Sequence, residues 1–336
     1  MSVVRSAMLP GRRKFVLVPI TIAIAVVLAG VLLYALLPAD ARDKASNAVV
    51  QGILLGGVYS LLALGVVVVY KSSKVFNLSF GGLILFLTFL MWWLLSSMGL
   101  PFWLSLVLLG VCSVAIGLII NRFIMTPLIG DPGLSTFIVT MVLGFSVLNG
   151  LVLLFFGGSP EVMPRIFPSG NISFGAISFS YTWLFAFIIS TAMFLIFAAY
   201  FRFTKTGLEM RAVSENHLIS QSVGINVRRI LAVSWVVGTL SAAVSGLLLG
   251  SMFAVDGSLG GFALARGFPV LLLGGLESLP GAFIAAFIIG ITETLAGNYI
   301  DPYVTGFREV LPYILMVVIL MLRPNGLFGL REIRRM

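Results

Sequence analysis

Residues able to carry acid–base, nucleophilic or metal chemistry are few. The 336 residues include one histidine, His217, and one cysteine, Cys112, and of the 12 Asp and Glu only Glu293 falls clearly inside an apolar run. Catalysis inside a bilayer needs a nucleophile with its base, a ligand cluster or paired carboxylates. The sequence offers no such set, so an intramembrane protease or metalloenzyme is disfavoured, and no catalytic residue, metal ligand or cofactor is assigned. No lysine follows a glycine, so the phosphate loop G-x-x-x-x-G-K-[ST] is absent and ATP is not hydrolysed by that route. A lone cysteine makes neither a disulfide framework nor a thiolate metal site.

The elements that must position these residues are apolar. Hydrophobic residues make up 60% of the chain and charged ones 10%, with a mean hydropathy of +1.13. A soluble domain carries about a quarter charged residues, so this is an all-α polytopic membrane protein. The net charge of +9 does not point to nucleic acid, because the basic residues sit at the ends of apolar runs rather than on one soluble face. They face the lipid bilayer surface instead.

A spanning helix needs roughly 20 apolar residues. On that rule about ten transmembrane helices are expected, near 15–37, 49–70, 79–98, 102–121, 134–156, 181–200, 230–250, 264–276, 281–298 and 310–322. The first run resembles a secretion signal, but its 23 apolar residues exceed the roughly 7–15 of a signal, so a retained anchor is expected over a cleaved leader. Lys and Arg stay on the cytoplasmic side. With both termini cytoplasmic, the inner segments carry sixteen of them and the outer segments five: Arg42, Lys44, Arg165, Arg266 and Arg308. Residues 157–180, rich in Gly, Pro and Ser, read as turns and short strands capping the outer surface.

Polar interruptions stand out against this background. The longest, "TGLEMRAVSENHLISQSVGINVRR" (206–229), is cytoplasmic in this topology. Leu208, Ala212, Ile219 and Val223 share one helical face, with Glu209, Arg211 and Glu215 largely off it. Asn216 is a candidate N-cap for a short helix from His217 to Val223, with Gly224 as its C-terminal stop. Such a helix either rests on lipid headgroups or docks a cytoplasmic partner. Two further breaks, 70–83 with Asn77 and Ser79, and 271–283 with Gly274 and Gly275, are either tight turns or discontinuous helices lining a path. Gly52 with Gly56 and Gly246 with Gly250 have the spacing of close helix packing. Glu293 is read either as a pathway residue or as the partner of Arg266 or Arg308.

Four stretches carry a family resemblance. "GILLGGVYSLLALGVVVVYKSSKVFNLSFGG" (52–82), "GLEMRAVSENHLISQSVGIN" (207–226), "LLLGGLESLPGAFIAAFIIGITETL" (271–295) and "RPNGLFG" (323–329) resemble, in order, the motifs of the membrane subunits of branched-chain amino acid ABC importers. The match runs from about residue 48 onward, leaving 1–48 as a basic segment with an extra first helix and 49–336 as the permease domain. The resemblance implies that 201–229 holds the segment gripped by the ATPase, with Arg211, Ala212, Glu215, Asn216, Ser220, Gly224 and Ile225 as its positions. Tyr59, Asn77, Ser79, Gly274, Gly275 and Glu293 are the candidates for a translocation path, read from the helix breaks and the polar groups within spans. Implied partners are cytoplasmic ATP-binding subunits, a second permease subunit, similar or identical, and an extracytoplasmic solute-binding protein. Phe80, Gly82, Ser220, Ala285 and Ala286 depart from the usual pattern, leaving ureas, amides, sugars and nucleosides open as cargo beside amino acids. An ion-coupled carrier is the competing class; it calls for more intramembrane charge than Glu293 alone.

Overall fold

The computed structural model describes residues 38–74, 76–128, 133–175, 177–215 and 217–329. The expected first crossing at 15–37 and the N-cap residue Asn216 lie outside these residues. Helix α1, Ala39–Ser73, is 35 residues long. It starts ten residues before the apolar run because the Ala-, Asp-, Arg- and Lys-containing stretch ahead of it tolerates helix well. α2, Phe80–Trp92, runs on through a π-helical turn, Trp93–Ser97. α3, Phe102–Ile119, continues through the π-helical Ile120–Met125 and a short 3-10 turn, Thr126–Leu128. α4, Gly133–Val142, passes through the π-helical Leu143–Leu148 into α5, Asn149–Phe156.

A small hairpin follows, with β1 at Asn171–Phe174 antiparallel to β2 at Ile177–Ser180. It realises the strands expected for the Gly-rich cap. α6 is Tyr181–Phe203, α7 Lys205–Glu215, α8 His217–Ser222 and α9 Val227–Met252. α10, Leu259–Gly274, α11, Leu279–Tyr299, and α12, Phe307–Leu322, complete the described chain. Seven of the helical segments are long and apolar enough to cross a membrane, while α10 and α12 have 16 residues each.

α1 is apolar on all sides, and such a helix belongs inside a bundle. Its most apolar window is 94% buried, against 28% for α3 and 22% for α6. α9, α10 and α11 wrap it, and α3, α4 and α6 turn large apolar side chains such as Val107, Ile138 and Ile196 outward. In lipid, helices gain no hydrophobic drive from meeting each other, so close packing and polar contacts must hold them. Gly52 and Gly56 let α1 approach α11 backbone to backbone, against Gly290 and Phe287, and Gly246 and Gly250 of α9 seat Thr88 of α2. Hydroxyls add bonds between helices: Ser241 Oγ donates to Leu61 O at 2.9 Å, and Thr294 Oγ1 to Ala48 O at 2.8 Å.

The two interruptions differ in kind. After α1 stops at Lys74, whose backbone is left-handed with φ 57°, the chain turns back into the bundle. Phe76 stacks on Phe268 at 4.9 Å, and the Phe80 ring fills the space over Gly65. Gly65 lies about 12 Å along the axis from the end of α1, at 1.5 Å per residue. α2 therefore starts within the bundle rather than at its edge. Irregular backbone at that depth needs partners. Thr140 supplies part of them, its Oγ1 accepting from Leu78 N at 3.4 Å and sharing its one hydrogen between Phe137 O at 2.9 Å and Phe76 O at 3.3 Å, while Asn77 Oδ1 accepts from Ser79 N at 2.9 Å and Ser79 Oγ at 2.6 Å. By contrast, 275–278 is a tight turn: Ser278 N donates to Gly275 O, and Ser278 Oγ caps α11 by accepting from Gly281 N at 3.0 Å.

Candidate functional site

Inside the bundle, the ionisable residues converge at one place. α11 carries Glu293 on its buried face, α1 carries Tyr59 and α10 carries Arg266. Glu293 Oε1 accepts from Arg266 Nη2 at 3.1 Å and Nε at 3.3 Å, and Oε2 accepts from Tyr59 Oη at 2.9 Å. The Arg266 guanidinium also lies 4.2 Å from the centre of the Phe262 ring. Tyr59 is 0%, Glu293 6% and Arg266 7% exposed. An unpaired charge at such depth costs about 2.5–3.5 kcal/mol on insertion scales. The carboxylate, guanidinium and phenol satisfy one another.

This cluster forms the floor of a cavity of about 270 Å³, walled by Trp183, Phe253 and Phe262 and rimmed by Gln51, Asn298, Arg308 and Glu309. Arg308 is held by Asp301, whose Oδ1 accepts its backbone N–H at 2.9 Å and whose Oδ2 lies 3.4 Å from Nε. Of the two partners expected for Glu293, Arg266 is the one it meets. The placement of Arg266 corrects the reading of it as an outer-segment residue: α10 begins at Leu259 and buries it. Its start is hard to read in "GSLGGFALARG", where Gly260 serves close contact with Gly81. Gln51, Trp183 and Phe262 carried no signal of their own, being ordinary members of apolar runs.

The other expected path residues lie elsewhere. Asn77 and Ser79 are 1% and 0% exposed within the re-entrant turn, bonded to each other. Gly274 and Gly275 bring three backbone segments together. Gly274 leaves no room for a Cβ beside Gly281, Gly275 has φ 102° and abuts Gly329, and Leu327 N and Phe328 N donate to Leu273 O and Gly274 O at 2.8 and 3.2 Å. This stitches "RPNGLFG" to the "LLLGGLESLPG" turn. At the same end, Lys74 and Glu277 form an ion pair.

The polar stretch folds at that end too. α7 buries Met210 and Val213, and Gly207 N donates to Thr204 Oγ1 at 3.1 Å. Arg211 is half-buried, 5.8 Å from the Phe201 ring centre. Ala212 is partly exposed and Glu215 exposed. α8 ends in a paired-bond stop: Ile225 N donates to Ser220 O and Gly224 N to Gln221 O, both at 3.0 Å, with Gly224 at φ 88°. That left-handed stop is the glycine signature expected there. Ser220 is buried, whereas Leu208, Ile219 and Val223 are 61%, 62% and 70% exposed. The apolar face read from the sequence thus points outward, and Met210 and Val213 do the internal packing. Asn226 caps α9 through Oδ1, which accepts from Arg229 N at 3.1 Å.

A bundle with a central buried helix, an intramembrane ion pair beneath a polar-rimmed cavity and a helical foot at the far end defines a multi-pass membrane transport subunit. The family described as branched-chain amino acid transport system / permease component matches residues 48–320, and the chain belongs to it. Similar relatives include the high-affinity branched-chain amino acid transport system permease proteins BraD of Pseudomonas aeruginosa and LivH of Escherichia coli K12. BraD is 27% identical over 85% of this chain and 96% of its own length, and LivH 28% over the same shares. The xylose/arabinose import permease protein XylH of Sulfolobus acidocaldarius is 28% identical over 45% of this chain and 43% of its own.

Proposed function

We propose that this chain forms the solute path of an ATP-driven importer in the cytoplasmic membrane, crossing it ten times with both termini inside. It has no ATPase motif of its own. The foot, α7 and α8, docks a cytoplasmic ATP-binding subunit through Leu208, Ala212, Ile219 and Val223, with Arg211, Glu215, Asn216, Ser220, Gly224 and Ile225 shaping that surface. A second permease subunit, similar or identical, and an extracytoplasmic solute-binding protein complete the assembly. Closing of the ATP-binding subunits pushes the foot and tilts the helices around α1, so that the cavity above Glu293 opens to one side and then the other. Asn77, Ser79, Gly274 and Gly275 serve this motion by fixing where α2 and α11 begin.

The cavity above the Arg266–Glu293 floor carries the reading. Its rim sets Arg308 beside Glu309 and its walls are aromatic. Paired opposite charges next to apolar walls suit a zwitterion with an apolar side chain, which favours branched-chain amino acids, the cargo named for BraD and LivH. The second reading is a pentose, the cargo named for XylH. Uptake into vesicles reconstituted with the binding protein and ATP-binding subunits tests both. Leucine uptake that needs ATP inside is expected. Pentose uptake in its place would reassign the cargo, and uptake by the chain alone, driven by an ion gradient, would refute the importer.

A further inference from the structure

Away from the cavity of the proposed path, three arginines meet where α3 ends and α9 begins. Arg122, Arg228 and Arg229, with Asn121, Thr126 and Leu118, line a second cavity of about 490 Å³. Lys74, Arg266 and Arg308 each have a carboxylate partner, but among the described residues these three arginines have none. Asn121 beside them is 6% exposed, and its Oδ1 finds no donor.

The place of the cavity narrows the ligand. It lies at the close of the span Phe102–Leu128 and the opening of the span Val227–Met252, which is headgroup depth. The adjoining surface of α3 and of the π-helical turn after it is apolar and exposed, with Leu118 at 46%, Ile119 at 54% and Phe123 at 73%. Cationic groups below an apolar wall match the two halves of a phospholipid, and basic pockets between helices at a membrane face bind anionic headgroups.

We propose that this cavity holds an anionic phospholipid of the phosphatidylglycerol kind, its phosphate between Arg122, Arg228 and Arg229 and its acyl chains along the exposed apolar surface beside them. A choline headgroup sets a cation against the arginines. The bound lipid pins the start of α9, the helix that follows the foot directly.

Native mass spectrometry of the delipidated full chain, titrated with phosphatidylglycerol, phosphatidylcholine or inorganic phosphate, tests the assignment. One phosphatidylglycerol should be retained with a preference of about tenfold or more over phosphatidylcholine. The Arg122→Gln/Arg229→Gln chain should lose that preference, whereas Arg202→Gln, at the same end but outside the cavity, should keep it. Equal retention of both lipids, or an unaffected double variant, overturns the proposal. So does displacement by inorganic phosphate, which marks a free-anion site, or by added ATP-binding subunits, which marks a protein contact. Should the double variant not fold, hydrogen exchange of the wild-type chain in nanodiscs decides. Slower exchange at 120–126 and 226–232 in phosphatidylglycerol than in phosphatidylcholine supports the site, and identical exchange refutes it.

Discussion

Glu293 and Arg266 hold opposite charges where neither is tolerable alone. Removing one partner of a buried pair leaves a stranded charge and costs about 3–5 kcal/mol, whereas removing both is often close to neutral. Arg266→Met should therefore deplete the chain from membranes, measured by quantitative blotting of the membrane fraction, and Arg266→Met/Glu293→Met should restore it. If the pair serves the path, uptake by the restored double variant stays below about a tenth of wild type, a deficit of at least about 1.4 kcal/mol in the transport barrier. Uptake that recovers along with assembly would make the pair structural only. Glu293 was legible as the one acid inside a span. Its partner was legible only as a choice between Arg266 and Arg308, because a short helix that opens on Leu259, Gly260 and Gly261 resembles a loop until the α2 backbone that Gly260 abuts is in place.

At the scale of elements, the re-entrant turn depends on one hydroxyl. Thr140→Val keeps the shape but strips Leu78 N of its acceptor and Phe76 O of a shared donor, and a buried group left unsatisfied costs about 1–3 kcal/mol. A lower melting temperature of the purified chain is expected, and an unchanged one would show that water replaces the hydroxyl. The foot is sensitive in a different way. Gly224→Pro removes the N–H that closes α8, and Ala212→Glu places a charge on the docking face. Both should abolish ATP-dependent uptake while insertion stays normal, and wild-type uptake in both variants would refute docking there. Element positions were readable because apolar run length and helix length are tied by the bilayer. The orientation of the foot was not, since periodicity alone cannot tell a face that packs inward from one left for a partner: Leu208, Ile219 and Val223 are exposed, and Met210 and Val213 are buried instead.

For the whole molecule, α1 is the axis and the other helices are its sheath. Hydropathy could not show this, because a helix in lipid and a helix inside protein are equally apolar. Gly52→Leu should consequently be more harmful than a similar change on α3. At Gly52 an added side chain meets Ile291 and Thr294, and at Gly110 it meets nothing. The amount of folded chain after detergent extraction should fall sharply for Gly52→Leu and remain near wild type for Gly110→Leu. Equal yields would mean that α1 and α11 can move apart.

Glu161 and Val255 exchange two backbone hydrogen bonds of 2.9 Å, fastening the loop between α5 and β1 to the corner that leads from α9 into α10. Eleven residues beyond Val255 sits Arg266. A displacement of that surface loop is thus carried along the chain into the helix that bears the guanidinium.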